Sequence, residues 1–387
     1  MHNRHISART GGFTESVIRE MTRRCQAVDG VNLAQGFPDF NPPPEVMEAA
    51  VRAIRDGYNQ YAITWGSANL RRAVCEKAES YNGITADPEK NVTVTCGATE
   101  AMMAALLAIV DPGDEVVVFE PFYENYGPDA IMSGARPVYV PLVEPDFNFE
   151  ADRLRDAFSP RTKAIIINTP HNPSGKVFTR QELELVSELC CEYDALVVTD
   201  EIYEHILYDG ARHVSPASVP GLEDRTITIS GISKTYSATG WRVAWAIAPE
   251  PIANAIRKVH DFLTVGAPAP LQEAAAVALR LPDDYYANLA DFYKHKRDII
   301  LPELERAGFV PFKPRGSYYV LTDISAFGAE DDTEFAIRMV EKAGLATVPG
   351  SSFYSEPAMG ANKIRFAFCK TEQTLNNAIE RLRSLDI

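Results

Sequence analysis

Three polar groups in this sequence follow apolar runs that read as buried strands, and a fourth lies inside one. Lys234 comes shortly after Thr226-Ile227-Thr228-Ile229, among the small and hydroxyl residues of Ser230-Gly231-Ile232-Ser233-Lys234-Thr235. An amine desolvated at a strand end loses part of its preference for the charged form, which suits it to attack an aldehyde and then to carry a proton. Asp200-Glu201-Ile202-Tyr203 closes a second run, and Asn168-Thr169-Pro170-His171-Asn172-Pro173-Ser174-Gly175 a third. In Lys363–Phe368 the apolar Ile364, Phe366 and Phe368 share one face, so Arg365 points to the other. Each has a plain alternative, a solvated loop lysine or a surface arginine for example.

These groups need elements to bring them together. Strands are expected at Val92–Thr95, Glu115–Phe119, Pro137–Val140, Ala164–Asn168, Ala195–Thr199, Thr226–Ile229 and Val243–Ile247, with helices between several of them. Continuous apolar strands alternating with helices predict an α/β fold with a mostly parallel sheet covered on both faces. Between Val92–Thr95 and the apolar helix that ends at Val110, the turn Cys96-Gly97-Ala98-Thr99-Glu100 leaves the free N–H groups of a helix start aimed at one spot, where a phosphate fits. Neither GxGxxG nor GxxxxGK[ST] occurs. A capping box, Thr179-Arg180-Gln181-Glu182, opens another helix. Before all this comes an extended arm ending in Asn41-Pro42-Pro43-Pro44, then a helix over Glu45–Asp56 and an aromatic loop, Asn59 to Gly66. After Leu281 the pattern becomes helical through Arg306, with strands expected at Gly316–Val320, Leu345–Val348 and Lys363–Phe368 and a helix ended by Gly344. The expected division is an arm, 1–44, that joins a small domain, 282–387, and a large domain, 45–281.

Composition narrows the function. A chain of 387 residues with 46% hydrophobic and 24% charged residues is globular and long enough for two domains. A net charge of −15 without Lys/Arg clusters argues against nucleic acid. The longest apolar run, Ala101 to Val110, is too short for a bilayer, and Met1-His2-Asn3-Arg4-His5 lacks the core of a signal peptide, so a cytoplasmic protein is expected. Six cysteines form no CxxC pair and no metal spacing with histidine; no disulfide and no structural metal are expected.

Beyond these features, the ordered motifs Ala34-Gln35-Gly36-Phe37-Pro38, Asn59-Gln60-Tyr61, Gly97-Ala98-Thr99-Glu100, Glu120-Pro121-Phe122-Tyr123, Asn172-Pro173-Ser174-Gly175, Asp200-Glu201-Ile202-Tyr203, Ser233-Lys234, Gly240-Trp241-Arg242 and Arg365-Phe366 run through nearly the whole chain. In these the chain resembles the class I aminotransferases of the fold-type-I pyridoxal-phosphate group, and most of all the branch with the kynurenine, glutamine and methionine aminotransferases. The resemblance implies that Lys234 carries the cofactor, pyridoxal 5'-phosphate, and moves the substrate proton. It implies that Asp200 faces the ring nitrogen, Tyr203 and Asn172 the phenolate oxygen, and Tyr123 the ring face. Gly97, Ala98, Thr99, Ser233 and Arg242 would hold the phosphate, with Tyr61 reaching it from the neighbouring subunit of a homodimer. Arg365 would grip the substrate α-carboxylate, with Gly36 and Asn172 beside it.

The expected activity is transfer of an amino group from an L-amino acid to a 2-oxo acid by ping-pong chemistry through the pyridoxamine form. His171 and Ser174 depart from the usual Asn and Thr of relatives. No arginine lies between Asp261 and Leu279, where the aspartate branch carries one for a distal carboxylate. With Phe13, Phe37, Trp65 and Phe353 as candidate pocket aromatics, this favours neutral or aromatic donors over an aspartate-type enzyme. A carbon–sulfur β-lyase acting on cysteine conjugates remains the alternative.

Overall fold

The computed structural model describes residues 5, 7–329 and 331–385; the segment 1–4, part of the leader reading above, lies outside the described residues. Its strands, in chain order, are β1 (Val31–Asn32), β2 (Val92–Thr95), β3 (Glu115–Glu120), β4 (Arg136–Pro141), β5 (Thr162–Asn168), β6 (Leu196–Asp200), β7 (Thr226–Gly231), β8 (Ala244–Ile247), β9 (Val310–Phe312), β10 (Tyr319–Asp323), β11 (Leu345–Ala346), β12 (Val348–Pro349) and β13 (Lys363–Ala367).

Strands β2 to β8 form one seven-stranded sheet in the order β2-β8-β7-β6-β5-β3-β4. Only β8 runs against its neighbours. The unbroken apolar runs are explained by burial on both faces. Val116 and Val118 pack with the helix Ala98–Ile109, and Val117 and Phe119 with the helix Arg180–Glu192. Each such side chain removed from water contributes about 2 kcal/mol. The second helix starts with the expected capping box, Thr179 and Glu182 bonding each other's backbone.

Parallel strands put their carboxyl ends on one edge, the usual place for a site in such sheets. Here that edge collects Gly97 after β2, Asn168 at the end of β5, Asp200 at the end of β6, and Lys234 just beyond β7. A second sheet, β12-β13-β10-β9, is antiparallel. Its apolar core includes Phe335, Met339, Leu375 and Ile379 from two helices, together with Ile18, Met21 and Cys25 of the helix Val17–Ala27 and Leu33 of the arm. Among the described residues no helix is long and apolar enough to cross a membrane.

Three expected elements differ. The strand predicted over Gly316–Val320 begins only at Tyr319, because Ser317 sits at φ 59° and bonds instead to Ile206 and His171. The strand predicted over Leu345–Val348 is two: β11 pairs parallel with β1 and β12 antiparallel with β13, so Thr347 is where the chain changes sheet. Strand β7 runs on to Gly231, and Lys234 stands in the helical turn Ile232–Thr235 that follows directly.

Candidate active site

A cavity of 710 Å³ opens over this edge, between the large sheet, the arm and Tyr319 of β10. Lys234, Ser233, Asp200, Tyr203, Asn172, Tyr123, Ala98, Thr99, Arg242 and Gly36 all line it. The Lys234 Nζ donates to the Gly36 carbonyl at 2.9 Å, and the Tyr318 hydroxyl donates to the same oxygen at 2.9 Å. The amine lies 5.7 Å from the ring centres of both Tyr203 and Tyr318. Burial pulls the ammonium down to about 8, against the opposing pull of Cys369 and Asp200.

Asp200 is buried, and burial raises its carboxyl above the ordinary range. Two donors work the other way: the Tyr126 hydroxyl on Oδ2 at 2.8 Å and the Ile202 amide on Oδ1 at 3.2 Å. Asn168 ties the neighbouring strand end in place, donating to the Asp200 carbonyl at 2.9 Å and accepting the Asn172 amide at 2.7 Å. The Tyr203 and Tyr319 hydroxyls are 3.0 Å apart.

Arg365 is fully buried, which overturns the surface reading. It does not line the cavity itself but stands behind Asn172. Its Nη1 donates to Asn172 Oδ1 at 2.8 Å and its Nη2 to the Ala34 carbonyl at 2.6 Å, between the rings of Tyr319 at 4.3 Å and Phe353 at 5.0 Å. Its Nε has no partner, and among the described residues no carboxylate pairs with it. A buried cation without a counter-charge is costly until an anion meets it.

At the other end, Gly97 holds φ 89° and caps the twelve-residue helix that starts at Ala98. A Cβ on Gly97 would stand 2.2 Å from Arg242 Nη2, so the guanidinium lies against bare backbone. The first amides of that helix have no partner within it. Together they make a cradle for an anion.

Some expectations are corrected. Of the candidate aromatics only Phe13 lines the cavity. Phe37 lies under Lys370 at 4.0 Å, Trp65 under Arg257 at 5.2 Å and Phe353 under Arg365. The aromatic wall is instead Tyr123, Phe122, Tyr139, Tyr319 and Tyr354. Tyr61 is 87% exposed and outside this cavity. Sequence reasoning missed Tyr126, Tyr318 and Tyr319; the three-residue spacing of Tyr126 from Tyr123 was the available signal. It also missed Glu124, which accepts from Ser16 Oγ at 2.6 Å and the Ile18 amide at 3.2 Å and so pins the start of the amino-terminal helix to the cavity rim. Glu201, Glu204 and His213 cluster tightly below the site, but Lys77 pairs with Glu204 and already supplies positive charge there.

The model of the family described as aminotransferase class I and II matches residues 28–382. The chain belongs to this family. It is 41% identical over 385 residues to a probable N-succinyldiaminopimelate aminotransferase of Mycobacterium tuberculosis, covering 96% of each chain. It is 39% identical over 397 residues to kynurenine–oxoglutarate transaminase 1 of Homo sapiens, covering 94% of each. A solved Escherichia coli structure with a methionine aminotransferase function superposes with a TM-score of 0.93 at 36% identity, over 98% of this chain and 99% of that one. The protein is thus a pyridoxal-phosphate-dependent aminotransferase with the fold-type-I architecture, moving amino groups from amino acids to 2-oxo acids. The orphaned Nε of Arg365 and the Gly97–Arg242 cradle are what a carboxylate and a phosphate require, so the residues present fit cofactor and substrate.

Proposed function

We propose that this aminotransferase takes neutral or aromatic L-amino acids as donors and that the residues at the sheet edge divide the work as follows. Gly97, Ala98, Thr99, Ser233 and Arg242 hold the cofactor phosphate, Tyr123 covers the ring, and Tyr203 and Asn172 meet its phenolate oxygen. Bound pyridoxal phosphate supplies an electron sink for the pair left at the substrate α-carbon when its proton departs. Lys234 anchors the cofactor, and its Nζ, brought down to about 8 by burial, then accepts that proton and returns it. Asp200 keeps the ring nitrogen protonated. Arg365 binds the α-carboxylate with its planar fork, oriented by Asn172, and the Gly36 backbone lies beside it.

The observation that carries the donor reading is the cavity wall. Phe13, Met102, Phe122, Ile131, Tyr139 and Tyr354 line it, and no arginine lies between 261 and 279. Arg19 is also at the rim, near Glu15, whose carboxylate pairs with Arg23 at 2.8 Å. The test is a panel of donors under one acceptor. Methionine, phenylalanine and kynurenine are expected to exceed aspartate in kcat/KM by at least about tenfold, on the order of a buried apolar group's worth. Aspartate as the best donor would overturn the reading, and product release that continues beyond one equivalent per subunit without any acceptor would point to β-elimination instead.

The reading includes a homodimer with shared sites. Tyr61, Ile63, Phe262, Leu263 and Val265 present exposed apolar surface, with Phe262 at 92%, of the kind that a second copy covers. Tyr61 then reaches the partner's phosphate site. Mixing inactive Lys234→Ala with impaired Tyr61→Ala is expected to restore activity, since one site of the hybrid keeps both residues; no restoration would argue for separate sites. A cytoplasmic address fits the six free cysteines.

A further inference from the structure

Asp200 is held by a residue to which the reading above gives no task. Tyr126 opens the helix Tyr126–Ser133, and its amide bonds the Tyr123 carbonyl at 3.0 Å. Residues three apart in such a turn face the same way. Both rings therefore border the cavity, set edge to face with centres 5.7 Å apart at 78°. The Tyr126 ring is buried, and its hydroxyl meets Asp200 Oδ2 at 2.8 Å. The Ile202 amide takes the other oxygen. One donor on each oxygen fixes the plane of the carboxylate.

The direction of this bond is fixed as well. Burial, with Asp200 and Tyr123 beside it, pushes the Tyr126 phenol well above its ordinary range, so it remains a donor wherever the enzyme works. Its loss would remove one of the two protein donors that hold the charge on Asp200, a loss relieved by protonating the carboxyl or rotating it away. The other groups that face Asp200 are Lys234, which favours its charge, and Glu201, which opposes it.

We propose that Tyr126 is a positioning residue for amino transfer: its phenol O–H keeps the Asp200 carboxylate charged and in place, so that the cofactor ring nitrogen keeps its proton. The proposal rests on the role given to Asp200 above. A purely structural Tyr126 would affect folding and cofactor retention but not the state of that nitrogen.

The experiment loads the wild type and Tyr126→Phe with pyridoxal phosphate carrying 15N in the ring and reads the nitrogen signal by NMR at neutral pH, alongside kcat, KM and the melting point of the cofactor-free proteins. Tyr126→Phe is expected to shift the signal toward the unprotonated position and to lower kcat roughly tenfold, the loss typical of one charge-assisted hydrogen bond, with KM changed less than about twofold. In an Asp200→Asn background the same substitution is expected to add nothing. A protonated wild-type signal that does not move in Tyr126→Phe would overturn this proposal alone. An unprotonated wild-type signal would overturn the Asp200 assignment and this proposal with it. Should Tyr126→Phe not fold, 3-fluorotyrosine at position 126 changes the acidity of the phenol with little change of shape; a displaced ring-nitrogen signal supports the proposal and an unmoved one overturns it.

Discussion

Replacing Lys234 by methionine is expected to stabilise the cofactor-free protein at neutral pH, although it abolishes activity. Burial brings the Lys234 ammonium from 10.5 to about 8. At 1.36 kcal/mol for each tenfold change in proton affinity, holding the charged amine in the fold costs about 3 kcal/mol at pH 7. Methionine fills a similar volume without the charge, but gives up the bond to the Gly36 carbonyl, worth about 1 kcal/mol. The net gain is about 2 kcal/mol. Between pH 8 and 10.5 the unfolded chain binds more protons than the fold, so wild-type stability rises relative to the variant. The advantage of Lys234→Met shrinks through that window and changes sign near pH ~10. Buried tyrosines such as Tyr126 and Tyr203 titrate in both proteins and cancel in the difference. Urea unfolding of both proteins without cofactor, at several pH values from 6 to 10.5, reads this directly. A variant less stable than wild type at pH 7, or a difference that does not vary with pH, would refute the argument that Lys234 is held against its charge.

Two further predictions concern the proposed carboxylate and phosphate sites. Arg365→Ala is expected to raise KM by about 100-fold, roughly 3 kcal/mol of charge-assisted bonding, for every amino acid whatever its side chain; steady-state kinetics over the donor panel checks this, and a loss confined to one donor would move Arg365 to the distal end of the site. Gly97→Ala is expected to cost more than about 1 kcal/mol of stability and to weaken cofactor binding at least about tenfold, because its Cβ collides with Arg242 and its φ of 89° strains any side chain. Thermal unfolding and cofactor titration test this, with wild-type affinity as the contrary result.

The large sheet was legible because β3, β5 and β6 carry apolar runs without alternation, which two-sided burial explains. Lys234, Asp200 and Asn172 were found because each follows a run that reads as a strand, and the parallel order then brings those ends together. What failed to show was contact between distant segments. The bond between Tyr318 and Gly36 spans 282 residues and that between Tyr126 and Asp200 spans 74, and no local period announces either. Arg365 was placed on the correct side of its strand by alternation, but that this side is buried depends on Asn172 and Ala34 from other parts of the chain. Phe37 and Trp65 looked like pocket aromatics because the cations that cover them, Lys370 and Arg257, are likewise remote in sequence, while Phe353 is covered by the nearby Arg365.

The proposed role of Lys234, Asp200 and Arg365 is to let the bound cofactor exchange an amino group with a neutral or aromatic amino acid. The most direct measurement is a half-reaction: the visible absorption of the cofactor-loaded protein is followed after adding a single amino acid, with no 2-oxo acid present. Methionine or phenylalanine is expected to bleach the cofactor band with release of one 2-oxo acid per subunit, and Lys234→Met is expected to show neither the bleaching nor the 2-oxo acid. A wild-type band unmoved by any donor in the panel, or bleaching that persists in Lys234→Met at the wild-type rate, would contradict that role.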